Sequence, residues 1–83
     1  MDSTRYTETV AAIVGRRIKE SGSNVWETAK KAAVPRTTLQ RRLDAPSQYP
    51  FNIAELARIS DAIGTTVGEI VRQADEIVQK DKK

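Results

Sequence analysis

Within AAVPRTTLQRRL, residues 32–43, Pro35 restricts the chain more than any other residue. Its ring fixes φ and removes an N–H, so it suits the first turn of a helix and would break the interior of one. It also pushes Val34 towards extended backbone. No helix can run through this point, yet helical spacing continues on both sides of it. Upstream, Asn24 can cap a helix over about 25–32, with Glu27 three positions on to close a capping box. Downstream, a helix over 35–44 starts at the proline. Two or three residues separate the pair, which leaves room for one tight turn between two helices.

The rest of the chain is punctuated in the same way. Tyr6, Val10, Ile13, Val14 and Ile18 recur at helical steps over about 4–20, and Gly22 in the following SGS suits a left-handed cap. Gly15 inside this helix costs about 1 kcal/mol relative to Ala, which suggests the close approach of a neighbouring helix. APSQYPFN, residues 45–52, is a loop. Asn52 and Glu55 then form a second capping box, and Phe51 can staple onto Leu56. A fourth helix over about 53–63 places Ile53, Leu56, Ala57, Ser60 and Ile63 on one stripe and ends at Gly64. Thr66 and Glu69 make a third box, opening a fifth helix with Val67, Ile70, Val71, Ala74, Ile77 and Val78 on one side. The tail, about 79–83, is expected to fray. With no internal repeat, these elements predict an all-α fold of five short helices over residues 1–83.

Composition narrows the chemistry. A chain of 83 residues is one domain, and 39% hydrophobic with 30% charged residues is globular rather than disordered. The aromatics are Tyr6, Trp26, Tyr49 and Phe51, so the core must be aliphatic. The absence of Cys and His excludes disulfides, thiol chemistry, the common zinc sites and the usual neutral-pH base. No glycine loop for phosphate, nucleophile–base pair or carboxylate cluster is present, so neither an enzyme nor a cofactor or metal is expected. No signal core or membrane-length apolar run is found, which predicts a soluble intracellular domain. The apolar faces are needed for the core, which argues against membrane binding through them.

Charge is unevenly placed. Residues 25–43 hold Lys30, Lys31, Arg36, Arg41 and Arg42 against Glu27 alone, whereas residues 44–83 are net acidic. On a helical wheel Leu39 and Leu43 turn inward. Thr37, Thr38 and Arg41 lie on the far side, Gln40 and Arg42 at its flanks, and Arg36 is exposed at the start. That face reads as rich in long donors with no carboxylate to neutralise it. Arg can fork onto guanine, Gln can pair with adenine, and a Thr methyl can meet that of thymine. The free N–H groups near Val25 and Trp26, with Asn24, form a helix start that can receive a phosphate.

NVWETAKKAAVPRTTLQRRL resembles the helix–turn–helix of the phage Cro and lambda-type repressor family. Ala29 matches its small crossing residue, Val34 the turn hydrophobe, and Leu39 and Leu43 the core residues of the recognition helix. FNIAELARISDAIGTTVGEIV, residues 51–71, resembles the two helices that close the core in that family. The resemblance covers about residues 8–75 and implies a compact five-helix, lambda-repressor-like domain. It implies that Arg36, Thr37, Gln40 and Arg41 face base edges, and Thr38 and Arg42 are assigned to phosphate. Two positions depart from it. Ala33 stands where the turn usually has a left-handed Gly, which predicts either a rebuilt turn or strain of about 1 kcal/mol. Arg42 stands at a usually apolar position, from which its guanidinium can reach phosphate or an acidic neighbour.

Other residues have plainer readings. Trp26 is read first as core, with an indole N–H on phosphate as the alternative. Lys30 and Lys31 are read as solvated, and Arg16 and Arg17 as a solvated helix face with an ion pair as the alternative. Tyr49 either packs its loop or touches backbone or a second subunit. Ile77 and Val78 either pack on the first helix or form a homodimer surface. The function expected is a sequence-specific DNA-binding transcriptional regulator, a Cro-like repressor acting on a pseudo-palindromic operator in the cytoplasm of a bacterial cell. Its partners are double-stranded DNA and a second copy, with no small-molecule substrate. The alternatives are a protein-interaction module of antitoxin or anti-repressor type, or the DNA-binding part of a larger immunity repressor.

Overall fold

The computed structural model describes residues 3–81. They form α1 (Ser3–Glu20), α2 (Val25–Ala32), α3 (Arg36–Asp44), α4 (Ile53–Ala62) and α5 (Val67–Lys80), and no strand occurs among them. The order and limits follow the sequence expectation closely, except that Pro35 serves as the cap of α3 rather than its first residue.

Three helix ends close with the same pair of backbone bonds, in which a left-handed residue and the one that follows it donate back to the last turn. After α1, Gly22 N–H reaches Lys19 O at 3.1 Å and Ser23 N–H reaches Ile18 O at 3.3 Å. After α4, Gly64 and Thr65 donate to Asp61 and Ser60 at 3.3 and 2.9 Å. After α2, Ala33 and Val34 donate to Lys30 and Ala29 at 3.3 and 3.0 Å. The arrangement needs a left-handed residue, and φ is 78° at both glycines and 57° at Ala33. The α2–α3 turn is therefore not rebuilt. It keeps its left-handed geometry and accepts the strain of a Cβ there.

The N-terminal caps are less uniform than the spacing suggests. Asn24, Asn52 and Thr66 each accept from the backbone N–H three residues on. Only Asn52–Glu55 closes the reciprocal box. Glu27 instead accepts from the Asn24 side-chain amide, and Glu69 is drawn to Arg72 and Arg17. In both cases a side-chain donor, an amide for Glu27 and guanidinium groups for Glu69, takes the carboxylate in place of the backbone N–H.

α1 packs mainly on α5, and α2 on α4 and α3. Ile13, Val14, Leu39, Ile59 and Ile70 lie at the centre of the core. Ile59 is wholly buried, whereas Ile53 is 69% exposed and Ala57 is exposed. The core face of α4 is thus rotated from the expected stripe towards Leu56, Ile59 and Ser60. α5 is helical through Gln79 and Lys80. Tyr6 Oη donates to Asp75 Oδ1 at 2.6 Å, Gln79 Nε2 donates to Tyr6 Oη at 3.1 Å, and Arg5 pairs with Asp81, so α1 holds this last turn. Lys82 and Lys83 lie outside the described residues.

Gly15 does not mark the close helix approach expected of it. A Cβ there would meet only Leu43 Cδ2, at 3.9 Å, which is ordinary contact. Two substitutions should therefore stabilise the domain. Gly15→Ala and Ala33→Gly should each add about 1 kcal/mol, the first through helix propensity and the second through relief of left-handed strain. Urea unfolding checks both, and a loss at Gly15→Ala would mean that α1 and α3 pack more tightly than the structure describes.

Candidate nucleic-acid interface

Leu39 is the one side chain of α3 that is fully buried, at 0% exposure. Leu43 adds a second, half-buried anchor against Gly15 of α1. With that edge fixed, Arg36, Thr37, Gln40 and Arg41 are all exposed, and Thr38 is half-buried. The four residues expected to read bases therefore share the open side of one short helix. Phe51 does not seal it, since its ring packs against the core.

Arg42 departs from the phosphate role assigned to it. Its Nε and Nη2 donate to Glu55 Oε1 and Oε2, both at 3.0 Å, and only 20% of its side chain is exposed. Glu55 Oε1 also accepts the Asn52 N–H at 3.2 Å. This fork joins α3 to the start of α4, so the acidic neighbour takes the guanidinium. Arg42 holds the Glu55 carboxyl below the usual carboxylate range, aided by the Asn52 N–H and opposed by partial burial. The Arg42 guanidinium is raised in turn, first by its hydrogen bonds to Glu55.

At the start of α2, Asn24 is occupied as a cap, accepting from Glu27 N–H at 2.9 Å and donating to Glu27 Oε1 at 2.9 Å. The Glu27 carboxylate therefore sits beside the helix start proposed for phosphate. Val25 is half-buried against the core. Trp26 is not a core residue, being 56% exposed, with Lys30 Nζ 5.7 Å from the ring centroid. A shallow hollow is lined by Asn24, Val25, Trp26, Arg36, Thr37 and Gln40. The two groups assigned separately to phosphate and to bases thus meet on one surface.

Two contacts on α3 escaped the sequence reading. Gln40 Nε2 donates to Asp44 Oδ1 at 3.0 Å, so α3 does carry a carboxylate near its exposed face. The four-residue spacing was the available signal, since such residues are neighbours on a helix. Arg41 lies with its Cζ 5.7 Å from the centroid of the Tyr49 ring, which the loop brings back beneath it.

Neither residue assigned to a dimer surface is open. Val78 is 1% exposed, and Ile77 is half-buried against the core. Ile77 lies beside Thr9, Ala12 and Ile13 of α1. The large aliphatics exposed among the described residues are Ile53 and Val71, beside Phe51 and Tyr6 in a separate apolar cleft. No group of His, Cys, Asp and Glu able to hold a metal occurs among the described residues, and no helix there is long and apolar enough to cross a membrane. Models of known protein families, curated proteins and solved structures give no match to this chain.

The Arg42–Glu55 fork has a pH signature. The folded Glu55 pKa is depressed, so the pair stabilises the fold above the unfolded carboxyl value, about 4.3, and that contribution is lost as pH falls through the folded value. Glu55→Gln should cost about 1–3 kcal/mol near neutral pH, a cost that shrinks as the medium is acidified. Unfolding curves from about pH 7 down to about pH 3 test this. A cost unchanged across that range would remove ion pairing as its cause.

Proposed function

We propose that this chain is a sequence-specific double-stranded DNA-binding transcriptional regulator, a Cro-like repressor of phage or prophage type, with α3 laid in the major groove of its operator. The observation that carries this reading is that Arg36, Thr37, Gln40 and Arg41 are exposed together while Leu39 is buried behind them. A helix about 10–12 Å across matches a groove about 12 Å wide, and these side chains offer the donors that base edges accept. Lys30 and Lys31, exposed on α2, add field towards the same polyanion. Repression would follow from occupancy, through exclusion of polymerase from the bound site.

One such helix covers only a few base pairs. A two-fold pair of chains would read half-sites about 34 Å apart, one helical turn of the duplex, which accounts for the pseudo-palindromic operator. The pairing surface must lie elsewhere than Val78, given its burial. Sedimentation of the chain on its selected duplex should give two chains per site, and one chain per site would remove the two-fold arrangement.

The test of the function is selection from random duplexes at moderate salt, followed by titration of the selected sequence. The single Trp26, exposed beside the proposed site, supplies a fluorescence signal. Affinity should fall steeply with salt as counterions are released. Arg41→Ala should cost about 1–3 kcal/mol on the preferred site and flatten discrimination at one position. Equal loss on every sequence would make Arg41 a phosphate contact. No shift of any duplex at low salt would overturn the reading and favour an acidic protein partner.

A further inference from the structure

The Arg41–Tyr49 contact has no role in the core or in any ion pair described above. Arg41 is exposed on α3, and Tyr49 is 37% exposed on the loop that follows. The loop is folded to make them meet. Ala45 N–H closes the end of α3 on Arg41 O at 2.9 Å, and Gln48 and Tyr49 N–H both return to Ala45 O, at 3.1 and 2.8 Å. That double turn brings the phenol ring back beside the guanidinium, within the roughly 6 Å at which a cation is held over an aromatic face.

We propose that Tyr49 is a positioning residue for base recognition, holding Arg41 by a cation–π contact so that its N–H groups stay open to a guanine. This rests on the DNA-binding reading above. An arginine free in solvent samples many rotamers and must lose them on binding, whereas a guanidinium already held by a ring loses fewer. A cation–π contact does not require the guanidinium N–H groups as hydrogen-bond donors, and these are the groups that fork onto guanine O6 and N7. A carboxylate partner would occupy those same donors. Tyr49 therefore orders Arg41 without consuming what it reads with.

The experiment compares the intact chain with Tyr49→Phe, Tyr49→Leu and Arg41→Ala, and with Tyr49→Leu in the Arg41→Ala background. The probes are the selected duplex and duplexes altered at each position in turn. Tyr49→Leu should lower discrimination at the position read by Arg41 by about two- to five-fold, leaving the other positions unchanged. Tyr49→Phe should keep it, and Tyr49→Leu should change nothing once Arg41 is Ala. In the DNA-free protein, the Arg41 Nε–H resonance should be displaced by the ring current and should return towards its ordinary position in Tyr49→Leu. A uniform fall on all duplexes, or a Tyr49→Phe variant as poor as Tyr49→Leu, would make the phenol a phosphate contact and overturn the proposal. Unaltered discrimination in Tyr49→Leu would overturn it while leaving DNA binding intact. Failure of the intact chain to bind any duplex would remove both.

Discussion

The placement of α3 depends on the burial of Leu39. A nine-residue helix is too short to persist alone in water, because nucleation costs more than so few turns return. Its stability must come from tertiary contact, and Leu39 is its only fully buried side chain. Burying one leucine is worth about 1.5–3 kcal/mol, enough to dock a short helix but not to fix its rotation. Rotation is set by three further contacts around that anchor. Val34 is buried at the turn, Leu43 lies against α1, and Arg42 forks onto Glu55 at the start of α4. Loosening any of these leaves the helix attached but free to roll, and every exposed residue would change its direction.

Helix limits were legible in the sequence because they are local. Asn24, Asn52, Thr66, Gly22, Gly64 and Pro35 act within a few residues of themselves, and the structure uses each at a helix terminus or turn. The open face of α3 was legible for a related reason, since two leucines four apart define an inside. The rest depended on partners distant in sequence. The rotation of α4 follows from how α2 and α5 cover it, so Ile53 and Ile59 exchange the roles that periodicity alone gives them. Trp26 looks like core by composition, but α2 is already held by Thr28, Ala29 and Ala32, which leaves the indole outside. Glu55 was read only as a capping residue, yet its second oxygen was free to receive Arg42.

The cations divide into two populations. Arg5, Arg17, Arg42 and Arg72 each meet a carboxylate, and these pairs brace α1 against α5, α3 against α4, or α5 along its own length. Lys30, Lys31, Arg36 and Arg41, on α2 and α3, appear in none of the ion pairs among the described residues, and neither do Arg16, Lys19, Arg58 and Lys80 on the other helices. Two of them rest on aromatic rings instead, Lys30 on Trp26 and Arg41 on Tyr49. The difference matters for a surface proposed to meet a polyanion. A carboxylate partner cancels the field and must be displaced before the cation can bind phosphate or base. An aromatic ring holds the cation while leaving its charge and most of its donors exposed. Asp44 fits the same logic despite its charge, because it engages the neutral amide of Gln40. One amide hydrogen is taken, and the remaining hydrogen and the carbonyl oxygen stay free, which is the pair that adenine N7 and N6 require.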